Sequence, residues 1–249
     1  MLKARVRSNS TADVVGQVLD DLSVAARARG GRARPFVTLS WAQSLDGSIA
    51  LEPGRGCALS GAESLALTHA VRASHDAILV GIGTLLADDP RLSVRHWTGR
   101  SPAPVVLDSR LRTPPTARVL AAGPERVVRI ACTAAADDAR VAPLAARGAS
   151  VLRLPAEDNG WVDLPALLDS LGAANVRRLM VEGGARVLTS FLRAGLGDYA
   201  VVTIAPRLLG GLPAVGALDL DRPPRFATVA SHRMGDDVVV AGPLGWEGA

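Results

Sequence analysis

Apolar residues are grouped along the chain in a pattern that predicts short strands alternating with helices. Short apolar runs bounded by turn residues indicate buried strands, at residues 36–41, 76–81, 104–108, 126–131, 150–154, 178–181 and 199–204. Helical spacing of apolar residues indicates helices, at residues 61–73, 137–147, 164–171 and 185–194. This alternation predicts an α/β fold in which helices cover both faces of a mostly parallel sheet. A last strand is expected at 237–241 and can run antiparallel.

Local signals predict where two of the helices begin. Ser60 is the predicted N-cap of the helix at 61–73, with Glu63 at the third position of a capping box. Near the start of the chain, a basic tail is followed by apolar residues at helical spacing, namely Val14, Val18, Leu22, Ala25 and Ala26. We therefore expect residues 1–34 to form a basic arm and a short helix that packs on the protein or contacts a partner. The main domain is predicted to span residues 35–249.

Composition excludes several classes of protein. With 48% hydrophobic and 21% charged residues among 249, the chain has the balance of a globular protein. No apolar run approaches the roughly 20 residues that span a bilayer, and no signal peptide is apparent, so a cytoplasmic protein is expected. A net charge of only +4, scattered arginines and 3% aromatic residues argue against nucleic-acid binding. The two cysteines and four histidines lack the spacing of a zinc site, so no metal is expected.

The sharpest local motif is a strand followed by an acid, two glycines and the start of a helix. It is formed by Val181, Glu182, Gly183 and Gly184 before the helix at 185–194. Glycines at such a turn allow a ligand to approach the backbone, and the first helical turn offers free N–H groups to a nucleotide phosphate. The same spacing also fits an ordinary tight turn, and the motif alone leaves both interpretations open.

Two further turns place acids after predicted strands. Asp88 and Asp89 end a segment, starting at Gly81, that resembles a dinucleotide fingerprint without its third glycine; turn capping explains the two acids as well. Asp46 follows the first strand, where its side chain fits an Asx turn better than a ligand site. The sequence has neither a Gly-x-Ser-x-Gly elbow nor a Walker loop. Hydride transfer fits the remaining features, because the cofactor carries that chemistry and the protein orients two ligands.

Four segments in this order resemble the pyrimidine reductases of riboflavin biosynthesis: residues 34–47, 75–90, 181–184 and 204–211. The resemblance implies a dihydrofolate-reductase-like fold, NADPH as hydride donor and a homodimer. It implies reduction of the ribosylamino side chain of a pyrimidine 5′-phosphate to ribitylamino. Residues 42–47 resemble the stand-alone fungal and archaeal enzymes, which act before deamination, and the motif of the fused zinc deaminase is absent. A stand-alone reductase is therefore expected, with the deaminated substrate still open.

The resemblance also implies site residues. The NADPH side comprises Ala42, Ala58, Thr84, Asp88, Ser109, Gly183, Gly184, Ala185, Arg186, Val187, Leu188, Thr189 and Ser190. The substrate side comprises Gly56, Arg72, Leu92, Arg95 and Glu182. Asp46, Asp88 and Glu182 are the candidate proton donors. Ser40 stands where the fused bacterial enzymes often have a lysine, and Arg186 either touches the cofactor 2′-phosphate or faces solvent.

Two rival functions remain. One is a reductase of the same fold that acts on another substrate, such as dihydrofolate. The other is a protein that binds NADPH without catalysis. Turnover with dihydrofolate or with the pyrimidine phosphate distinguishes them.

Overall fold

A computed structural model describes residues 10–31, 33–121, 123 and 125–246. Its strands are β1 (Phe36–Ser44), β2 (Ser48–Ala50), β3 (Ala77–Gly81), β4 (Ala103–Leu107), β5 (Arg129–Cys132), β6 (Ser150–Arg153), β7 (Arg178–Val181), β8 (Tyr199–Ala205), β9 (Leu212–Pro213), β10 (Arg225–Phe226), β11 (Ala230–Met234) and β12 (Asp237–Gly245). Its helices are α1 (Thr11–Ala28), α2 (Ala62–Ala73), α3 (Ile82–Asp88), α4 (Val141–Ala145), α5 (Leu164–Ala173) and α6 (Ala185–Arg193). None of these helices is long and apolar enough to cross a membrane.

The strands form one large sheet in the order β10-β12-β8-β1-β7-β3-β4-β5-β6, and β11 pairs with β12. Neighbours from β8 to β6 are parallel, whereas β12 runs antiparallel to β8. The predicted parallel sheet with an antiparallel C-terminal strand is therefore confirmed. β2 and β9 form a separate antiparallel pair beside the carboxyl end of β1.

Alternating side chains of the strands bury both faces of the sheet. In β3, Ala77 and Leu79 pack with α5 and α6, whereas Ile78 and Val80 pack with α3 and α4. Further along that second face, α1 and α2 cover β8 and β12. A strand that is buried on both sides reads as a continuous apolar run, which explains why β3 was recognisable from sequence.

The start of α2 differs from the prediction. Its N-cap is Gly61, not Ser60, and no side chain of the preceding segment caps it. The Asp237 carboxylate, which is buried at the start of β12, accepts the Gly61 N–H at 2.7 Å and the Ser64 hydroxyl proton. The Glu63 carboxylate instead accepts from the Thr11 hydroxyl at 2.8 Å. A distant residue supplies the cap, so local spacing could not identify it.

The helix predicted before residue 35 is present. α1 begins at a capping box between Ser10 and Asp13 and buries Val14, Val18 and Leu22 against α2 and the sheet. Arg34, just before β1, makes a bidentate ion pair with Asp198 at 3.0 Å. The basic tail lies outside the described residues, except for Ser10.

Candidate active site

A cleft of about 1040 Å³ opens at the carboxyl ends of β3, β4 and β7. It is lined by residues from segments 49–57, 81–88, 107–112, 157–164 and 184–190, together with Leu212. Ligands of open α/β sheets bind at this end of the strands, because loops and helix starts converge there. Thus the turn that begins at Gly81 and the turn that ends at Gly184 face the same cleft.

The α6 N-terminus in this cleft is prepared for an anion. Gly184 is its N-cap, no side chain caps it, and its first turn has no acidic residue. By contrast, α1 and α2 have acids in their first turns, Asp13 and Glu63. Arg186 stands in the first turn of α6 instead, where a cation is unfavourable beside the positive end of the helix dipole unless an anion binds. These features fit a phosphate group, and the donors would be the backbone N–H groups of the turn.

The glycines around this turn are required first by packing within the protein. A Cβ on Gly183 would lie 2.4 Å from Val187 Cβ, and a Cβ on Gly81 would lie 2.7 Å from Val187 Cγ2. One on Gly184 would lie 3.1 Å from the Thr84 hydroxyl. The sequence interpretation attributed these glycines to a ligand approaching the backbone. In the structure they allow α6 to pack closely beside the start of α3, and this packing forms the cleft wall.

Asp88 is the only one of the three candidate proton donors that lines the cleft. Within the described residues its carboxyl group has neither a hydrogen bond nor an ion pair. Partial desolvation raises the pKa of this carboxyl group above its usual value, although the residue remains exposed. The segment opposite touches it closely, since a Cβ on Gly56 would lie 2.0 Å from Asp88 Oδ1. Of the three candidate proton donors, Asp88 is therefore the one whose carboxyl group is free to contact a ligand in the cleft.

Asp46 is not suited to donate a proton. Its carboxylate accepts hydrogen bonds from the hydroxyls of Ser44 and Ser48 at 2.5 and 3.0 Å, and from the N–H groups of Leu209 and Gly210 at 3.0 and 2.7 Å. These bonds, above all the one from Ser44, lower its pKa far below the usual value. Asp46 lies outside the cleft lining and joins two loops, so its surroundings favour a structural role over that of an acid.

Glu182 is bound in an ion pair beside the cleft. Arg72 Nε and Nη2 donate to its two carboxylate oxygens at 2.6 and 2.5 Å, and both side chains are largely buried. Arg72 also donates to the Ser93 carbonyl at 3.1 Å, so the pair holds the segment after α3. Because both of its carboxylate oxygens accept from Arg72, Glu182 is better suited to orient groups than to donate a proton.

The same region carries a strong positive charge. Burial and the nearby cations Arg72, Arg91 and Arg118 lower the pKa of the Arg95 guanidinium. The Arg95 backbone N–H donates to His69 Nδ1 at 3.0 Å, which fixes the segment that presents it. This arrangement can attract a phosphate that comes with the substrate.

Several residues implied by the resemblance do not line the cleft. Leu92 and Leu188 are 2% and 0% exposed and belong to the hydrophobic core, so their side chains cannot contact a ligand. The Thr189 hydroxyl donates to the Ala185 carbonyl at 2.6 Å and accepts the Gly216 N–H at 2.9 Å. The others outside the lining are Ala42, Asp46, Ala58, Arg72, Arg95, Glu182 and Gly183. Those inside it are Gly56, Thr84, Asp88, Ser109, Gly184, Ala185, Arg186, Val187 and Ser190.

Sequence reasoning missed other parts of the cleft wall. Trp161 lies on a short hairpin at 155–163, and the Arg186 guanidinium sits 5.0 Å from the centre of its ring. Arg110 and Arg112 follow β4 and also line the cleft. Their position just beyond a predicted strand was the available signal. No group of three or more His, Cys, Asp or Glu side chains in the described part of the chain could hold a metal ion.

Comparison with known proteins assigns the fold to a family. The sequence profile of the RibD C-terminal domain matches residues 35–240. The chain belongs to the RibD C-terminal domain family. The predicted family and fold class are therefore confirmed, and the chain is an oxidoreductase by family.

Relatives of this RibD-type domain are named as reductases or as riboflavin biosynthesis proteins. The 2,5-diamino-6-ribosylamino-4(3H)-pyrimidinone 5′-phosphate reductase of Methanothermobacter thermautotrophicus is 39% identical over 216 residues, which cover 83% of this chain and 97% of the relative. The enzyme of that name from Archaeoglobus fulgidus is 39% identical over 188 residues, covering 72% and 83%. The Aquifex aeolicus riboflavin biosynthesis protein RibD is 35% identical over 211 residues, covering 83% of this chain but 57% of the relative.

Solved structures give the same grouping. Acinetobacter baumannii RibD has a TM-score of 0.74 at 27% identity, covering 86% of this chain and 59% of that protein. The Saccharomyces cerevisiae riboflavin biosynthesis reductase Rib7 has a TM-score of 0.70 at 26% identity, covering 90% and 97%. The RibD-type chain thus spans little more than half of the RibD proteins and nearly the whole of the yeast reductase.

Proposed function

We propose that this chain uses NADPH to reduce the ribosylamino side chain of 2,5-diamino-6-ribosylamino-4(3H)-pyrimidinone 5′-phosphate to a ribitylamino side chain. The observation that carries the proposal is the cleft itself, in which an uncapped helix start and an unpaired, protonatable Asp88 face one space. The names of the archaeal relatives supply the substrate. The deaminated uracil form is the alternative substrate.

The cofactor would be held by the wall that α3 and α6 form. The first turn of α6, from Gly184 to Val187, would bind the diphosphate, and the Thr84 hydroxyl and Ser190 would line the same space. When bound, the reduced nicotinamide supplies a hydride to the sugar C1′. The chain's own contribution is to bind both ligands in register and to limit the access of water.

The substrate would be held on the positive side of the cleft. Arg95 is exposed and lies among like charges, so a phosphate there would relieve their repulsion. Two nitrogen atoms of Arg72 already donate to Glu182. We therefore assign the Arg72–Glu182 ion pair to holding the loop that carries Arg95. In this arrangement the substrate phosphate binds at Arg95, beside the cleft, and the N-terminal turn of α6 is left to the cofactor diphosphate.

Asp88 would supply the proton. Opening of the sugar ring gives a C1′=N imine, and the addition of hydride at C1′ places an electron pair on the nitrogen, which then takes a proton. The pKa of the Asp88 carboxyl group is raised by desolvation, so Asp88 keeps its proton to a higher pH than the Asp46 carboxylate, whose pKa is lowered. Activity should therefore decline as the pH rises through the pKa of Asp88.

The test compares two isosteric variants. Asp88→Asn should lower kcat by about 10²- to 10⁴-fold, because the amide cannot transfer the proton, while NADPH binding persists. Asp46→Asn is the control; it should weaken stability and leave the pH profile of kcat unchanged. Absence of NADPH oxidation by the native chain with either pyrimidine phosphate would defeat the proposal. Turnover of dihydrofolate instead would favour the rival reductase, and binding without any turnover would favour the non-catalytic rival.

We also propose a homodimer in the cytoplasm that does not bind nucleic acid. The resemblance supports the dimer, and the presence of only two cysteines supports the cytoplasm. The low net charge argues against nucleic-acid binding. Sedimentation analysis of the purified chain tests the dimer, and a monomer at micromolar concentration would contradict it.

A further inference from the structure

The segment that carries Arg95 is held in one shape by side chains from other parts of the chain. Each residue from 92 to 95 makes a hydrogen bond from its backbone to such a side chain. These bonds join the Leu92 carbonyl to Arg126 at 2.7 Å, the Ser93 carbonyl to Arg72 at 3.1 Å, the Val94 N–H to Ser101 at 2.9 Å and the Arg95 N–H to His69 at 3.0 Å. Leu92 has a φ of 51°, a left-handed conformation that persists where surrounding contacts fix it.

Two of these four bonds come from one face of α2. His69 and Arg72 are three positions apart on this helix, so their side chains lie one turn from each other. Arg72 is shared with Glu182, as described above. The His69 imidazole is 0% exposed, and among the described residues its only hydrogen bond is the one from the Arg95 N–H.

The contact with Arg95 determines the state of the His69 ring. A backbone N–H can only donate, so Nδ1 is the acceptor and the single proton of the neutral ring is on Nε2. Burial lowers the pKa of this imidazole to about 4, together with the neighbouring Arg72, Arg95 and His96. The ring is therefore uncharged at neutral pH and keeps its acceptor.

An uncharged acceptor suits this position better than other side chains would. The guanidinium of Arg95 is close to further cations, namely Arg72, Arg91 and Arg118. A carboxylate at residue 69 would also accept the N–H, but it would cancel part of the positive charge that attracts a phosphate. An aliphatic side chain would leave the N–H of Arg95 without this acceptor. The imidazole avoids both defects, although its Nε2–H is buried without a partner among the described residues, which costs stability.

We propose that His69 is a positioning residue, which holds the backbone of Arg95 so that the guanidinium is presented to the phosphate of the substrate. This inference rests on the proposed function, which places that phosphate at Arg95. His69 is fully buried and acts through Arg95 without touching the substrate. Its ring also contacts the ring of His96 edge to face, with the centroids 4.8 Å apart, so the residue after Arg95 is packed from the same side. His69 should therefore contribute to substrate affinity and not to hydride transfer.

Calorimetry of the full chain with ribose 5-phosphate tests the inference, together with steady-state kinetics on the pyrimidine phosphate. His69→Leu should weaken ribose 5-phosphate about tenfold and raise the KM of the substrate to a similar extent, with kcat and NADPH affinity changed less than about twofold. His69→Asn should recover most of the affinity, because the Asn side-chain oxygen can occupy the place of Nδ1. If His69→Leu does not fold, His69→Gln carries the same prediction, since its amide reaches toward the place of Nε2 instead.

His75→Gln is the matched control. His75 is also a buried histidine, but its ring bonds to Val71 and Thr38 and not to the segment at 92–95. The variant should lower Tm and leave the affinity for ribose 5-phosphate unchanged. A loss of affinity in this control as large as that in His69→Leu would mean that general destabilisation explains the effect, and it would overturn the inference.

A double-mutant cycle shows whether His69 acts through Arg95. Arg95→Ala should itself weaken ribose 5-phosphate, and in that background His69→Leu should cost less than about twofold. Full additivity, native affinity in His69→Leu, or an equal loss of kcat and NADPH binding would overturn the inference. Failure of the native chain to bind ribose 5-phosphate would overturn it together with the assignment of the phosphate to Arg95. Binding of ribose 5-phosphate that follows these predictions without any oxidation of NADPH would defeat the proposed function and leave the positioning role of His69 standing.

Discussion

The cleft wall depends on two glycines that pack against Val187, and this dependence gives a quantitative prediction. In Gly183→Ala the new methyl would lie 2.4 Å from Val187 Cβ and 2.5 Å from its Cγ1. Carbon atoms pack best at about 3.5–4.0 Å, so the start of α6 must move by roughly 1 Å. In Gly81→Ala the methyl would meet only Val187 Cγ2, at 2.7 Å. The two variants therefore differ in which atoms they strike.

The expected cost follows from this overpacking. Forced contacts in a packed interior cost about 1–3 kcal/mol, and a chain of this size loses about 2–4 °C in Tm per kcal/mol. Gly183→Ala should therefore lower Tm by roughly 2–12 °C. Because it displaces the N–H groups of the α6 turn, it should also weaken NADPH binding by about tenfold or more.

A double-mutant cycle with Val187→Ala separates the two glycines. Val187→Ala removes both Cγ atoms, so in that background Gly81→Ala should cost little. Gly183→Ala should remain costly there, because the Cβ of residue 187 is still 2.4 Å away. Scanning calorimetry of the single and double variants gives the coupling.

Gly83→Ala provides the control, since its added methyl meets nothing within 4 Å. It should leave Tm unchanged or raise it, as alanine favours a helix. The packing account of the cleft is wrong if Gly183→Ala keeps the native Tm. It is also wrong if Val187→Ala reduces the Tm loss of Gly183→Ala as fully as it reduces that of Gly81→Ala.

Three other variants test separate parts of the structure. Glu182→Gln should lower the free energy of unfolding by roughly 1–3 kcal/mol in urea titration, because it leaves the largely buried Arg72 cation without its carboxylate; no change would mean that the pair is dispensable. Asp237→Asn should cost about 1 kcal/mol by the same assay through loss of the α2 cap, and a neutral result would refute its capping role. Burial lowers the pKa of His75 from 6.5 to about 4, so the unfolded chain takes up its proton first as the pH falls. Stability should therefore decline from pH 6.5 toward pH 4, and His75 should contribute up to about 1.4 kcal/mol per unit to that slope. His75→Gln should remove this share and leave the share of His69, whose pKa is lowered over the same range; an unchanged slope would contradict the assignment.

The fold was predictable where apolar runs report burial directly. β7 has the predicted bounds, and β3 and β8 lie within a residue of theirs, since each is buried by helices or strands on both sides. Elements that depend on distant partners were not predictable. α3 and β11 carry too few apolar residues at a clear period, and the cap of α2 comes from Asp237.

The sequence predicted many of the residues that meet in the cleft, but it predicted the chemical role of each residue less well. The resemblance brought Thr84, Asp88, Gly184 and other residues to one cleft, because motifs after adjacent parallel strands converge there. It could not distinguish Asp46 from Asp88, since the difference lies in hydrogen bonds from the Leu209 and Gly210 backbone. Trp161 was missed because its hairpin lies outside the four segments that carry the resemblance.

Direct analysis of the product tests the central claim best. The native chain is incubated with NADPH and 2,5-diamino-6-ribosylamino-4(3H)-pyrimidinone 5′-phosphate, and the product is examined by mass spectrometry. The account predicts a product that has gained two hydrogen atoms in its sugar chain, formed with one equivalent of NADPH consumed, and almost none of it with Asp88→Asn. An unchanged substrate mass in the native reaction, or full conversion by Asp88→Asn, would contradict the account.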